Sequence, residues 1–280
     1  MRFFKKLSLK IKMNKKMLLI VGIGLAVIIA IIIGLLLILN NKKVPEMEIT
    51  KKQDAKELKE NFTLLFSEEV PKDLEDKVYI AYKLDDDTLG RFKINIKIPM
   101  LKLRTNVARQ INSEITEVFA KKILSMIREK KSLYTIYNIN FYAVQNDNIL
   151  TLAIKCTLKE GKNAQRTILK TYNYDLENEK ILTLSDIIDR KELNREEIQK
   201  QINAEIEKEV AKTEAIKEEG YNVYERVIND TMYQIDYTEE FMLDEKGNLY
   251  IIYPYGNSNI TGEMDVIVIV NNEWWIMNSE

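Results

Sequence analysis

Thr171 to Ile188 reads TYNYDLENEKILTLSDII. Its first residues alternate, with Tyr172 and Tyr174 on one face of an extended strand. ENEK is a polar turn, ILTL a second short strand, and SDIID opens a helix with Ser185 in the N-cap position. Asp175 closes the first strand, where its carboxylate can hold the turn or the following backbone. Leu182, Leu184, Ile187 and Ile188 supply the apolar side. We read the stretch as a structural corner and not a catalytic centre.

Outward from this corner the pattern stays consistent. Upstream, GRFKINIKIPML places Phe92, Ile94, Ile96, Ile98 and Met100 on one face and Arg91, Lys93, Asn95 and Lys97 on the other, the mark of a half-buried strand. Pro99 marks an edge or the end of pairing. In residues 104–131 the apolar positions Val107, Ile111, Ile115, Val118, Phe119, Ile123, Met126 and Ile127 recur every three or four residues, which makes one helical stripe. Three strands follow: residues 132–144, the run ILTLAIKCTL, and the run AQRTILKTYNY, separated by the turns QNDN and KEGKN. Downstream, Asn194 and Glu197 open an amphipathic helix in capping-box spacing. Ile198, Ile202, Ile206 and Val210 form its stripe, and Gly220 ends it. Residues 221–237 read as a further short helix. EEFMLDEKGNLYIIYPY is a hairpin turning at EKGN, and EMDVIVIVNNEWWIM a last strand. Hairpin-connected strands with few helices indicate an α+β domain. The expectation is an antiparallel sheet with two to three helices packed on it, over residues 77–280.

The N-terminal residues define the setting. Positions 1–16 carry seven basic side chains and no acid, and residues 17–39 carry no charge. Those 23 residues form a helix about 34 Å long, enough for a hydrocarbon core roughly 30 Å thick. The apolar run exceeds that of a cleaved signal peptide and lacks an A-x-A end. We read 1–16 as a cytoplasmic tail, 17–39 as a signal anchor in the lipid bilayer, and 40–76 as a polar stalk. The basic flank places the N-terminus inside the cell and the C-terminal domain outside. Removing the tail leaves 35 of the 42 basic residues against all 43 acidic ones, a net charge of −8. Nucleic acid is a poor partner for such a surface. The lone Cys156 excludes an intrachain disulfide, and a composition rich in Lys, Ile and Asn resembles that of low-GC Gram-positive bacteria.

KINIKIPMLK with NVARQINSEI, LTLAIKCTL, the opening stretch, and EEFMLDEKGNLYIIYPYG with EMDVIVI together resemble the extracellular module of RsiV-type proteins, from Val78 to Ile276. That family places the module after a single membrane anchor. It includes anti-sigma factors whose outer part binds lysozyme, and membrane-anchored peptidoglycan deacetylases. The resemblance implies a cell-envelope module that binds or senses a lysozyme-like protein or peptidoglycan. Three features depart from the family. Glu160 to Thr167, EGKNAQRT, stands where members carry a Gly-Gly-Ala-His-Gly-like segment. We expect no deacetylase domain after the module, and the basic tail is shorter than the family's sigma-binding region, so a sigma factor is not the expected partner.

With no histidine in the chain, His-based triads and imidazole zinc sites are excluded. Cys156 falls in phase with Leu152 and Ile154 and reads as a buried thiol. Asp85, Asp86 and Asp87 could seat a calcium ion, but without spaced ligands they read as a solvated turn. No phosphate-binding glycine motif occurs. We therefore expect no catalytic residues, no metal and no cofactor. Candidate ligand-binding residues are Trp274 and Trp275, which point to opposite faces of one strand, together with Tyr253, Tyr255, Asn257 and Asn259 around the polar loop 256–263. Two rival readings stand beside the binding module: an anti-sigma factor acting on an extracytoplasmic-function sigma factor, and a wall-modifying enzyme.

Overall fold

The computed structural model describes residues 55–87, 92–122, 124, 134–255, 260 and 263–271. The tail, the segment 17–39 and residues 40–54 lie outside them. Among the described residues no helix is long and apolar enough to cross a membrane.

The alternating strand read at residues 91–100 is β2 (Phe92–Leu101), antiparallel to β1 (Val78–Asp86). Its other neighbour is β3 (Thr135–Asn146), and that pair is parallel, with Phe92 beside Thr135 and Ile96 beside Ile139. Antiparallel meanders follow into β4 (Ile149–Glu160), β5 (Arg166–Asp175) and the two-residue β6 (Lys180–Ile181). The six strands lie in chain order. The expected all-antiparallel sheet is thus corrected to a mixed one. A helix and not a hairpin joins β2 to β3, and a crossover connection returns the chain to the same end of the sheet. Pro99 lies beyond the last residue paired with β3, so its missing N–H interrupts no ladder there. Its β1 partner shifts register between Ile80 and Tyr82.

A second correction concerns the number of sheets. β7 (Glu240–Leu243), β8 (Leu249–Tyr255) and β9 (Glu263–Ile269) form a separate three-stranded antiparallel sheet. The hairpin between β7 and β8 turns where EKGN predicts, with Gly247 at φ 78°, a backbone region that glycine enters freely.

Four layers result. Helix α2 (Asn106–Ile115) buries Ala108, Ile111 and Ile115 against Ile94, Ile96, Ile98, Tyr137, Ile139, Leu152 and Ile154 of the large sheet. Its stripe continues through Phe119 in a widened π-type turn, Thr116–Ala120, whose Phe119 carbonyl accepts a hydrogen bond from the buried Tyr137 hydroxyl at 3.1 Å. The other face of the large sheet offers Tyr142, Val144, Ala153 and Leu169 to Met242, Tyr250, Ile252, Val266 and Val268 of the small sheet. The far face of the small sheet, with Phe241, Leu243, Leu249, Ile251, Ile267 and Ile269, is covered by α3 (Leu184–Arg190) and α4 (Arg195–Glu218). Ile198, Ile202 and Ile206 face inward as their spacing predicts.

The corner at 171–188 behaves as read, with two changes: the second strand is Lys180–Ile181 and not ILTL, and the helix cap moves. Asp175 is fully buried and accepts from the backbone N–H of Glu177 (3.0 Å) and Asn178 (3.1 Å), from the Asn178 amide (2.8 Å) and from Arg190. The helix cap is Thr183 and not Ser185. Thr183 and Asp186 form a reciprocal capping box, while the Ser185 hydroxyl accepts from Arg195 at 2.8 Å. Asn194 caps α4 through the Glu197 N–H at 3.0 Å. Residues 231–237 form two single 3-10 turns in place of the expected helix.

One compact unit spans Gln53–Glu280, so much of the expected stalk belongs to the folded part. Helix α1 (Ala55–Asn61) and the turn after it bury Leu58, Phe62 and Phe66 in the core that the two sheets share. The Phe62 ring meets Phe66 edge-on at 5.3 Å and tilts against Tyr250 at 5.6 Å. The helical spacing of Leu58, Phe62, Leu65 and Phe66 is the visible signal, and the surrounding lysines and glutamates mask it. Replacing Phe62 with alanine is expected to cost about 3 kcal/mol in urea unfolding, the penalty of a large core truncation. A loss below about 0.5 kcal/mol would return this segment to the stalk.

Candidate binding cleft

The chain leaves most of β5 without a second neighbour, because β6 covers only Tyr174 and Asp175. An open strand edge carries unpaired N–H and C=O groups, and here a β7 side chain satisfies the Thr171 N–H while β5 side chains reach the β7 backbone. The Glu240 carboxylate accepts from the Thr171 N–H at 2.6 Å, the Thr171 hydroxyl at 3.1 Å and Lys170 Nζ at 2.7 Å. The Thr171 hydroxyl in turn accepts from the Phe241 N–H at 3.0 Å. The Asn173 amide donates to the Phe241 carbonyl at 2.7 Å, and its oxygen accepts from Thr151 at 2.8 Å. This joint holds the two sheets together by side chains where no backbone ladder exists. Burial raises the Glu240 carboxyl above its ordinary value, opposed by the hydrogen bonds from Lys170 and Thr171.

Beside the joint opens a cleft of about 390 Å³, within the size range of small-ligand sites. Its floor comes from Thr167–Lys170 of β5 and Ile252–Tyr255 of β8, and its lip from Met232, Tyr237 and Glu239. Tyr237 is 65 % exposed. Lys170 is already paired with Glu240 and reaches Glu239 at 3.4 Å.

Tyr253 and Tyr255 both border this cleft, and both are largely buried. The Tyr253 hydroxyl lies 2.9 Å from Thr238 Oγ1, and its ring meets Tyr233 edge-on at 4.9 Å. Burial pushes its phenol up to about 12. The Tyr255 ring stacks on Tyr224 at 4.6 Å, with the Arg226 guanidinium 4.2 Å from its centre and donating to its hydroxyl. Arg226 grips Asp265 as a fork, at 2.6 and 3.0 Å, and donates to Thr213 at 2.8 Å. Arg226 and Asp265 are 2 % exposed at their side chains. The two tyrosines therefore form the wall of the cleft more than its mouth. Trp274, Trp275, Asn257 and Asn259 lie outside the described residues.

Sequence reading missed the Arg226–Asp265 fork, the Glu240 joint and Tyr237. A signal for the first exists: Asp265 interrupts the helix-facing positions Ile267 and Ile269 of β9, where alternation calls for an apolar residue. Glu240 carries no such signal. Cys156 is buried as predicted, and burial pushes its thiol up to about 12. Among the described residues, no group of acidic or sulfur ligands is arranged to hold a metal.

No family model matches the chain, and no curated protein matches it. Among solved structures, a DUF3298 family member from Bacteroides fragilis aligns at 16 % identity, covering 73 % of this chain and 98 % of that one with a TM-score of 0.38. A DUF3298 family protein from Pseudomonas aeruginosa aligns at 13 % identity, covering 69 % and 92 % of the two chains with a TM-score of 0.37.

Proposed function

We propose that the protein is a membrane-anchored, extracytoplasmic binding or sensing module of RsiV type, non-catalytic, whose ligand is a protein such as lysozyme or the cell wall itself. The observation that carries this reading is the state of the cleft. Its buried carboxylate and its lysine are spent on joining two sheets, so neither is free to move a proton to or from a substrate. Its lip instead offers Tyr237 and Met232, and its floor Pro254, apolar and aromatic groups of the kind that anchor interfaces. The anchor reading rests on the 23 charge-free residues of 17–39 and the seven basic residues before them.

The test is titration of the full chain, reconstituted in lipid nanodiscs, with lysozyme and with isolated peptidoglycan. Lysozyme binding weakened about tenfold or more by Tyr237→Ala, a loss of roughly 1.4 kcal/mol, is the expected result. Binding to peptidoglycan alone would assign the module to the wall. Binding to neither would sink the proposal.

A further inference from the structure

The small sheet covers only part of the large sheet's second face. Beyond Tyr142 and Ala153, the same face continues as Asn140 and Asn138 on β3, Lys155 and Thr157 on β4, and Asn95 and Lys93 on β2. These six residues floor a pocket of about 390 Å³. Register makes them a grid: Asn95, Asn138 and Thr157 lie side by side on three strands, and Asn140 lies beside Lys155 in the next row. Strands are about 4.8 Å apart and same-face residues about 6.7 Å, so the floor measures about 10 by 7 Å. Asp85, Asp86 and Asp87 stand at its rim.

Two groups on this floor lack the partners their burial calls for. Lys155 makes no hydrogen bond or ion pair with any described residue, and its ammonium lies 4.6 Å from the centre of the Phe66 ring. Burial lowers its pKa from the ordinary lysine value, as expected of a cation without a counter-charge. Asn138 Oδ1 is buried and accepts no hydrogen bond, a state that usually marks a missing donor. The nearby Glu68 does not supply the counter-charge. Lys97 at 2.9 Å and the Asn95 amide occupy it.

We propose that this uncovered polar grid is a second binding site, for a small zwitterion of the α-amino acid class. The ligand's carboxylate would pair with Lys155, and its amino group would donate to Asn138 Oδ1. The fit is one of charge order. Two cations, Lys93 and Lys155, and a bare acceptor share the floor, and three carboxylates at the rim favour an ammonium entering with the carboxylate. A simple anion meets repulsion at the rim, and a simple amine leaves Lys155 unpaired. The site is independent of the tyrosine-lipped cleft and of the function assigned to it.

The full chain in nanodiscs would be screened by saturation-transfer NMR against the twenty standard α-amino acids. The strongest binder, its decarboxylated amine and its deaminated acid would then be titrated. The expected result is a Kd below about 1 mM for at least one amino acid, weakened tenfold or more in both analogues and in Lys155→Met and Asn138→Ala. An unchanged melting temperature shows that each variant still folds. Should Lys155→Met unfold, Asn138→Ala decides. No saturation transfer from any of the twenty, equal binding of either analogue, or affinity unchanged in the folded variants would overturn the proposal.

Discussion

Replacing Asp175 with alanine is expected to destabilise the protein by about 4 kcal/mol, the cost of breaking a buried, hydrogen-bonded ion pair from one side. The carboxylate is completely buried and organises the corner from β5 to α3 through four donors: the N–H groups of Glu177 and Asn178, the Asn178 amide and Arg190. Its removal withdraws the acceptor that all four share. Arg190→Met should cost less, because Arg190 keeps about a third of its side chain in water. Urea unfolding at neutral pH measures both. A loss under about 1 kcal/mol for Asp175→Ala would show that the corner does not depend on this carboxylate.

The same residue sets an acid limb. Burial alone would raise the Asp175 carboxyl, but the hydrogen bonds from Asn178, Arg190 and the turn backbone outweigh it and hold the group well below the usual carboxylate range. A group depressed in the folded state contributes stability that is complete above its unfolded value, about 3.9, and that is lost as pH falls toward the folded one. Asp186 acts in the same direction, held at about 2 chiefly by the Thr183 backbone and hydroxyl. Stability should therefore fall below about pH 4, and the Asp175→Ala variant should show a shallower slope there.

Arg226→Met is expected to cost a similar amount, about 4 kcal/mol, because Asp265 would remain as a lone buried carboxylate. Pairing it with Asp265→Leu should recover most of the loss, since two apolar side chains remove both desolvated charges. The double-mutant cycle would show coupling of several kcal/mol, above the usual 0.5–3 kcal/mol for neighbours, if the fork is the main interaction. Additive losses would assign the effect to packing around Tyr224 and Tyr255 instead. The fork also ties the segment after α4 to the small sheet, where it supports the wall of the candidate cleft.

Much of this architecture can be read from residue order. The spacing of Ile111, Ile115 and Phe119 predicts the helix on the large sheet, and Ile198, Ile202 and Ile206 the face of α4 that turns inward. Alternation in β2, β4 and β5 separates core faces from polar ones, and it places Cys156 in the core. Asp175 is legible as a turn clasp because three of its four donors come from residues two and three positions away. Ser185 is misread for Thr183 because both are good caps, and only the backbone decides which one flanks the first helical turn.

Periodicity reports which positions are apolar, and near neighbours in the chain can be judged from spacing alone. That is enough for the α+β class, the caps and turns, and the corner at 171–188. It does not report which apolar face meets which. The division into two sheets, the parallel pairing of β2 with β3, and the burial of Phe62 depend on segments far apart in the chain. So do the Glu240 joint and the Arg226–Asp265 fork, whose partners lie 70 and 39 positions apart, and the uncovered grid around Lys155. Such contacts are selected by the shape and hydrogen-bond demands of the assembled layers, because an open strand edge or a buried charge must be satisfied by whatever the tertiary structure brings beside it.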